Sequence, residues 1–215
     1  MLDAQKKMFE TAYRTGTDIW THIPYEKAQK EFTEKLSPNA LVLDVGAGRG
    51  LFATLLVQSG MRVIGLEYVD EQTQKNNAEV KNKGWESRAR FVTGDALDIP
   101  FTDASFDAVT DIGLAQHLPA ESMPLYLTEV ARVLKPGGFF LMTELSKETV
   151  VFFDWHPKAS ENGLFAKDDY LYHFFSEQEL RTLTAAQFEI LSAQIESVGD
   201  RDPVLYQHML LKKKI

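Results

Sequence analysis

The chain has 215 residues, of which 44% are hydrophobic, and this predicts a single domain with a substantial core. A formal net charge of -8 and an isoelectric point near 5.2 argue against nucleic-acid binding, which needs clustered Lys and Arg. The absence of cysteine excludes disulfides, thiolate metal sites and cysteine nucleophiles, and it fits a reducing cytoplasm. No apolar run approaches the ~18 residues of a membrane span, so we expect no membrane partner.

Residues 1–37 precede the first predicted strand. Pro24 can open a helix whose apolar face contains Ala28, Phe32 and Leu36. The aromatic residues before this helix show no clean helical period: Phe9, Tyr13, Trp20 and Tyr25. Two interpretations stay open for this segment, a helix packed on the core or a lid over a ligand.

A glycine turn separates a predicted strand from a predicted helix. The short apolar run Leu41–Val45 is typical of a buried parallel strand. Apolar residues then recur at helical spacing from Leu51 to Leu56, and Gly60 stands where a helix-ending glycine is expected. The turn between them contains Gly46, Ala47, Gly48 and Gly50. Because glycine lacks a Cβ atom and N–H groups at a helix start are free, this turn predicts a ligand cradle.

The glycine spacing discriminates between cofactors. A dinucleotide site has the pattern G-x-G-x-x-G, which would require glycine where this chain has Leu51. Asp44 lies two residues before the first glycine, so the stretch has the form D-x-G-x-G-x-G. By itself the pattern also fits an ordinary glycine-rich turn between a strand and a helix.

The next apolar run, Arg62–Glu67, predicts a second buried strand that ends in an acid. Glu67 lies 21 residues after Gly46, a spacing that places its carboxylate to accept both hydroxyls of a ribose. Tyr68 follows and is a candidate to stack on an adenine face. Asp70 is predicted to cap a polar helix that ends near Lys83.

The rest of the chain continues to alternate strands with helices, which predicts right-handed βαβ units and a parallel sheet. The predicted elements are strands at Phe91–Ala96, Ser105–Asp111 and Phe139–Leu145, a helix at Met123–Lys135, a helix after the capping box of Ser176 and Glu179, and a terminal hairpin of Phe188–Ser197 and Val204–Leu211. From Lys147 to Tyr172 the periodicity is lost, which favours a binding loop.

The order of these motifs resembles that of class I S-adenosylmethionine (SAM) dependent methyltransferases across nearly the whole chain. The matching features are the glycine motif, the acid after the second strand, Gly94-Asp95 after the third, Phe106–Val109 in the fourth, Leu134–Gly138 before the fifth, and the terminal hairpin. The resemblance implies an α/β fold with a single Rossmann-like doubly wound sheet of seven strands in the order 3-2-1-4-5-7-6, with strand 7 antiparallel and helices on both faces. Residues 1–215 would form one domain, with 1–37 as a helical lid and 147–175 as a substrate-side insertion.

The same resemblance assigns residues to the cofactor. Gly46, Gly48 and the neighbouring backbone at Ala47 and Gly50 would hold the methionine part, Glu67 the ribose hydroxyls, Tyr68, Asp95 and Ala96 the adenine, and Asp111 and Ile112 the methionine amine side, while Asp44 would orient the glycine loop. The segments 111–119 and 172–176 also resemble a thiopurine and tellurite-type branch of small-molecule methyltransferases. Ile112 stands where that branch often has an arginine.

Methyl transfer from a sulfonium needs alignment and desolvation more than a base. If the acceptor arrives protonated, His117 and His173 are the candidate bases, although each can equally be a capping or core residue. The candidate contacts to the acceptor are aromatic: Tyr13, Trp20, Trp155 and Tyr172. The spacing of His and acidic residues does not indicate a metal site.

The sequence therefore predicts a cytoplasmic methyltransferase, a monomer or homodimer, that moves the methyl group of SAM to an O, N or S atom of a small apolar or aromatic molecule. S-adenosylhomocysteine is the expected product. Neither nucleic acid nor membrane is an expected partner. Two alternatives stay open, an NAD(P)-dependent oxidoreductase on a similar fold and a SAM-binding protein without catalysis.

Overall fold

A computed structural model of the protein describes residues 3–18, 26–149, 164–167, 170–199 and 203–215. Its helices are α1 (Asp3–Thr15), α2 (Glu26–Thr33), α3 (Leu51–Gln58), α4 (Asp70–Asn82), α5 (Met123–Val133) and α6 (Glu177–Thr184). Its strands are β1 (Leu41–Val45), β2 (Arg62–Glu67), β3 (Ala89–Thr93), β4 (Phe106–Ile112), β5 (Leu134–Leu145), β6 (Leu164–Lys167), β7 (Tyr170–His173), β8 (Phe188–Val198) and β9 (Val204–Lys213).

Seven strands form one sheet in the order β3-β2-β1-β4-β5-β9-β8, and β6 pairs separately with β7. Counted within the sheet alone, this is the predicted order 3-2-1-4-5-7-6. The first five strands are mutually parallel, whereas β9 runs antiparallel to both of its neighbours, β5 and β8. The predicted fold class is confirmed.

Alternating side chains on the central strands divide the core between the two faces of the sheet. On β1, Leu43 belongs to the cluster under α5 and α6, whereas Val42 belongs to the cluster under α2, α3 and α4. Phe140 and Leu141 on β5 divide in the same way. Both faces are therefore covered by helices, so the central strands are apolar on both sides and read as continuous hydrophobic runs.

Several element boundaries differ from the predictions. The strand β5 begins at Leu134, which pairs with Phe106, so α5 ends at Val133 and Pro136-Gly137-Gly138 lies within the strand rather than before it. Asp70 does not cap α4. Val69 occupies the capping position, and the Asp70 carboxylate instead accepts hydrogen bonds from the side chains of Thr93 and Gln74.

The N-terminal segment contains a helix that the aromatic residues alone did not reveal. In α1 the buried positions are Gln5, Met8, Phe9, Ala12 and Tyr13, which is the i, i+3, i+4, i+7, i+8 stripe of an amphipathic helix. Our prediction that this region lacks a helical period was wrong, because it counted only the aromatic residues.

The 147–175 insertion also has more structure than predicted. Its described part includes the antiparallel pair β6–β7, and β7 contacts both α1 and the short 3-10 helix Ala115–His117. Trp155 lies outside the described residues. The insertion therefore reaches the carboxyl ends of the sheet strands, as expected of a substrate-side element.

We predict that Gly65→Ala destabilises the fold by about 1–3 kcal/mol, the usual cost of overpacking a core. A Cβ atom at Gly65 would lie 2.3 Å from Cδ1 of Phe91, whose ring covers this position of β2. Urea unfolding measures the cost, and the same substitution in a Phe91→Leu background should cost less. An equal cost in both backgrounds would show that the contact with the ring is not the cause.

Candidate functional site

A cavity lies at the carboxyl ends of β1, β2 and β4, beneath α1. Its lining residues are Phe9, Tyr13, Gly46, Glu67, Tyr68, Ile112, Gly113, Leu114 and His117. This is the edge at which open α/β sheets bind ligands, because the strand ends and the loops after them meet there. The cavity brings together the glycine turn, the acid of β2 and one candidate base.

The three turn glycines have different roles. All three have left-handed backbone conformations, with φ of 68° at Gly46, 53° at Gly48 and 70° at Gly50. A Cβ atom would lie 2.8 Å from Leu114 at Gly46 and 3.4 Å from the Tyr13 hydroxyl at Gly48, so both face the cavity region. At Gly50 it would lie 2.7 Å from the Phe91 ring, so this glycine accommodates core packing.

Glu67 joins the glycine turn to the start of α4. Its Oε2 accepts the Gly48 N–H at 2.8 Å and its Oε1 accepts the Val69 N–H at 2.9 Å, while the side chain is almost completely buried. Burial raises the pKa of Glu67, and hydrogen bonds from backbone N–H groups and from the Tyr13 hydroxyl oppose that rise. The predicted ribose acceptor is therefore also the group that holds the turn.

Asp44 joins neighbouring strands just before the glycine turn. Its Oδ1 accepts a hydrogen bond from the Thr110 hydroxyl at 2.7 Å, which joins β1 to β4, and its predicted role in orienting the turn stays a prediction. The carbonyl of Gly48 is held by the side-chain amide of Asn76, at 2.8 Å, and Gln72 donates in turn to Asn76. Sequence reasoning missed this amide pair, because polar residues on a predicted surface helix gave no signal of burial.

Asp111 does not line the cavity. Its Oδ1 accepts the Leu114 N–H at 2.7 Å and its Oδ2 accepts the Tyr126 hydroxyl at 2.6 Å, and the side chain has no exposed surface. Its neighbour Ile112 does line the cavity. The carboxylate therefore shapes the turn that follows β4 rather than facing a ligand.

The predicted adenine residues are separated in the structure. Tyr68 is half-buried in the cavity wall, with the ammonium of Lys6 4.6 Å from its ring centroid. Asp95, at the end of β3, accepts the Leu97 N–H at 2.9 Å, and Ala96 is buried in the core. Tyr68 thus lines the cavity, and the adenine contact of Asp95 and Ala96 stays a prediction.

His117 lines the cavity and is 2% exposed. Its Nδ1 lies 3.1 Å from the Leu171 carbonyl, which can only accept a hydrogen bond, so Nδ1 carries the proton and Nε2 presents a lone pair. Burial lowers the pKa of His117 to about 4, with the Leu171 bond opposing. The imidazole is therefore neutral near pH 7, and the lone pair of Nε2 faces the side-chain amide of Gln116 at 3.5 Å.

His173, the second candidate base, does not line the cavity. Its Nε2 lies 2.8 Å from Oε1 of Glu179, and its ring stacks on Phe175 at a centroid distance of 4.0 Å. Ser176 accepts the Glu179 N–H, as predicted for the cap of α6. His173 therefore lies next to the start of α6 rather than in the cavity wall.

Aromatic rings surround His117. The Phe9 ring meets the imidazole edge-on with centroids 5.1 Å apart, and the Tyr172 ring lies 4.7 Å from it. Tyr13 is a further wall of the same cavity. Of the predicted acceptor contacts, Tyr13 and Tyr172 are thus brought together, whereas Trp20 lies outside the described residues.

Arg49, in the glycine turn, forms an ion pair with Asp18 in the segment after α1, here called the Arg49–Asp18 clasp. Its Nε and Nη2 each lie 2.6 Å from an oxygen of Asp18, and Nη2 also donates to the Tyr13 carbonyl at 3.0 Å. The Asp18 side chain is 3% exposed, so this bidentate ion pair is largely shielded from water. The clasp ties α1 to the turn that it covers.

The described residues contain no group of three or more His, Cys, Asp or Glu placed to hold a metal ion. Among the helices in the described ranges, none has the length and apolar character to cross a membrane.

Comparison with known proteins bears on the family. A methyltransferase-domain family matches residues 43–142. The crystal structure of 1,6-didemethyltoxoflavin-N1-methyltransferase of Burkholderia thailandensis, with 1,6-didemethyltoxoflavin and S-adenosylhomocysteine bound, superposes with a TM-score of 0.82 at 26% identity, over 99% of this chain and 88% of that one. These findings support a class I SAM-dependent methyltransferase.

Two curated relatives of this chain extend the comparison. A sterol 24-C-methyltransferase of Gibberella zeae is 33% identical over 162 residues, which are 73% of this chain and 41% of that protein. A demethylmenaquinone methyltransferase of Symbiobacterium thermophilum is 34% identical over 128 residues, 57% of this chain and 50% of that protein. The chain thus spans about half the length of these curated relatives.

The cavity walls fit SAM, the cofactor of this methyltransferase family. Gly46 brings backbone to the cavity without a Cβ atom, Glu67 supplies a buried carboxylate, and Tyr68 supplies an aromatic ring. The Tyr13 hydroxyl hydrogen bonds to the Glu67 carboxylate. If Glu67 accepts the ribose hydroxyls as predicted, Tyr13 must withdraw when the cofactor enters.

We predict that Asp44→Asn removes a pH-dependent part of the stability. Burial, together with the charges of Asp111 and Glu67, raises the pKa of Asp44 from 3.8 to about 7, so this group stabilises the fold below about pH 4 and loses that contribution as the pH rises through 7. As the pH rises from 4 to 8, the free energy of unfolding of the variant should increase relative to that of wild type by up to about 4 kcal/mol. Urea unfolding across this range measures the difference.

Asp98→Asn is the control, because this carboxylate is exposed to solvent. Parallel stability curves for Asp44→Asn and wild type would contradict the prediction.

Proposed function

We propose that this protein transfers the methyl group of SAM to a small, largely apolar or aromatic molecule. The observation that carries the proposal is the continuity of one cavity, in which the glycine turn and Glu67 meet the aromatic rings of Phe9 and Tyr13 and the imidazole of His117. Two named relatives act on sterols and on demethylmenaquinone, which are small apolar molecules. The acidic chain supports neither a nucleic-acid nor a membrane partner.

When bound, SAM supplies a methyl group on a sulfonium whose leaving group is a neutral thioether. The protein's own contribution is positioning and exclusion of water. The glycine turn and Glu67 orient the cofactor end of the cavity, and the rings around His117 strip water from a nucleophile held in line. An aromatic wall also favours a flat acceptor that can lie against the rings.

His117 is the proposed proton acceptor when the nucleophile carries a proton. The Leu171 carbonyl keeps the proton on Nδ1, so Nε2 takes the proton that the acceptor loses as its new bond to carbon forms. A pKa near 4 makes this imidazole a weak base, which suits an acceptor whose proton becomes acidic only in the transition state. We further propose that the protein is cytoplasmic and is a monomer or homodimer.

Incubation with methyl-labelled SAM tests the function. We expect label in small-molecule pools and none in total RNA, DNA or protein, and Glu67→Gln should lower SAM affinity by at least tenfold, because a hydrogen bond to a charged acceptor contributes about 1.5–3 kcal/mol. Calorimetry measures the affinity, and circular dichroism confirms that the variant folds. Label confined to a macromolecular fraction would refute the acceptor class, and no label in any pool would favour a SAM-binding protein without catalysis.

We also propose that the N-terminal segment 1–37 acts as a lid, closed by the Arg49–Asp18 clasp. Cofactor should slow amide hydrogen exchange in α1, and Asp18→Asn should speed exchange there at least tenfold in the cofactor-free protein, because it removes a shielded bidentate ion pair. Asp103→Asn is a matched control that removes an ion pair with Arg132, away from α1. Exchange in α1 that responds to neither cofactor nor Asp18→Asn would identify the segment as core.

A further inference from the structure

The turn after β4 presents its backbone N–H groups to two buried carboxyl groups. Leu114 N–H donates to Oδ1 of Asp111 at 2.7 Å and Ala115 N–H to Oδ2 at 3.2 Å. Gln116 N–H donates to Oε2 of Glu144 at 2.9 Å. This turn supplies Leu114 and His117 to the cavity wall, so the two carboxyl groups determine where those side chains lie.

The two carboxyl groups share a proton. Asp111 on β4 and Glu144 on the adjacent β5 have no exposed surface, and their side chains hydrogen bond to each other. Two carboxylates have no proton to donate, so one group must be in the acid form. Asp111 already accepts three donors, including the Tyr126 hydroxyl, whereas Glu144 Oε1 has no N–H or O–H donor among the described residues. The proton therefore belongs to Glu144, and burial next to Asp111 raises the pKa of Glu144 well above its usual range.

Gln116 connects this carboxyl pair to the imidazole. Its side-chain Oε1 accepts the N–H of Leu145, the residue after Glu144, at 3.0 Å, which fixes the amide orientation. The amide Nε2 then lies 3.5 Å from Nε2 of His117. Residues 144 and 145 thus hold the backbone and the side chain of Gln116, whose amide N–H points toward the lone pair of His117 Nε2.

We propose that Glu144, as a neutral acid hydrogen bonded to Asp111, is a positioning residue that fixes the turn 114–117 and so holds the His117 imidazole in the cavity wall. The kinetic part of this inference rests on the proposed methyltransferase function. Glu144 does not line the cavity and acts through Gln116 and His117.

The chemistry at position 144 requires one donor and one acceptor. A carboxylic acid provides both, and so does a glutamine, whose Oε1 can accept the Gln116 N–H while its amide donates to Asp111. A leucine of similar size provides neither and leaves the Gln116 N–H and an Asp111 oxygen buried without their partners. Glu144→Gln and Glu144→Leu therefore separate hydrogen bonding from side-chain volume.

The first readout does not depend on turnover. Nitrogen-15 NMR of the histidine side chains reports the tautomer and hydrogen bonding of His117. We expect wild type and Glu144→Gln to give the same Nδ1–H spectrum for His117, and Glu144→Leu to shift it. Thr143→Val is the control, because it removes a buried hydrogen bond to His208 from the adjacent residue of the same strand. An unchanged His117 spectrum in a folded Glu144→Leu variant would overturn the proposal.

The second readout is kinetic. Glu144→Leu should lower kcat by about 10²-fold, the effect of a misplacement of about 1 Å at a reacting group, with SAM affinity by calorimetry unchanged, and Glu144→Gln should stay within about threefold of wild type. In a His117→Gln background the leucine variant should cause little further loss, because both changes act through one group. Equal losses in both backgrounds would assign Glu144 a general structural role. Absence of methyl transfer by wild type would refute the proposed function, and the NMR comparison would still decide the role of Glu144.

Discussion

The site depends on one buried acid that binds two segments of backbone. Glu67 ends β2 and accepts N–H groups from Gly48 and from Val69, so the glycine turn and the beginning of α4 are fixed relative to each other. A carboxylate removed from water is costly unless its oxygens are hydrogen bonded, and here the backbone satisfies them. The group predicted to bind the ribose is thus also the group that gives the turn its shape.

Much of the fold can be predicted from the local sequence pattern, whereas the residues that support the site cannot. The apolar runs of β1 and β2 predicted the first and last residue of both strands correctly, because buried parallel strands are continuously hydrophobic. Here a glycine follows the first strand and an acid ends the second. Glu67 and the turn glycines were predictable from the sequence. They follow two strands that are consecutive in the chain and adjacent in the sheet, so the number of residues between them indicates that they lie close together. Asn76 and Glu144 support the site through contacts with distant segments, and nothing in their neighbouring sequence signals that.

The same limit applies to two candidate site residues that do not line the cavity. The family resemblance assigned Asp111 to the methionine amine side, and His173 was a candidate base or a structural residue. In the structure their polar atoms face backbone N–H groups and Glu179 instead. Which way such a side chain points depends on the partners that the fold brings to it, and burial favours partners from the protein itself.

The bond between His117 and Leu171 has a consequence for changing acceptor specificity. The carbonyl that sets the imidazole tautomer belongs to the backbone of β7, within the insertion predicted to lie on the acceptor side. No side-chain substitution removes it, but a loop transplanted from a relative, or a one-residue register slip in the hairpin, would. Exchanging this insertion to admit a new acceptor would therefore also change which nitrogen of the histidine carries the proton. Acceptor specificity and acid–base chemistry would then change together.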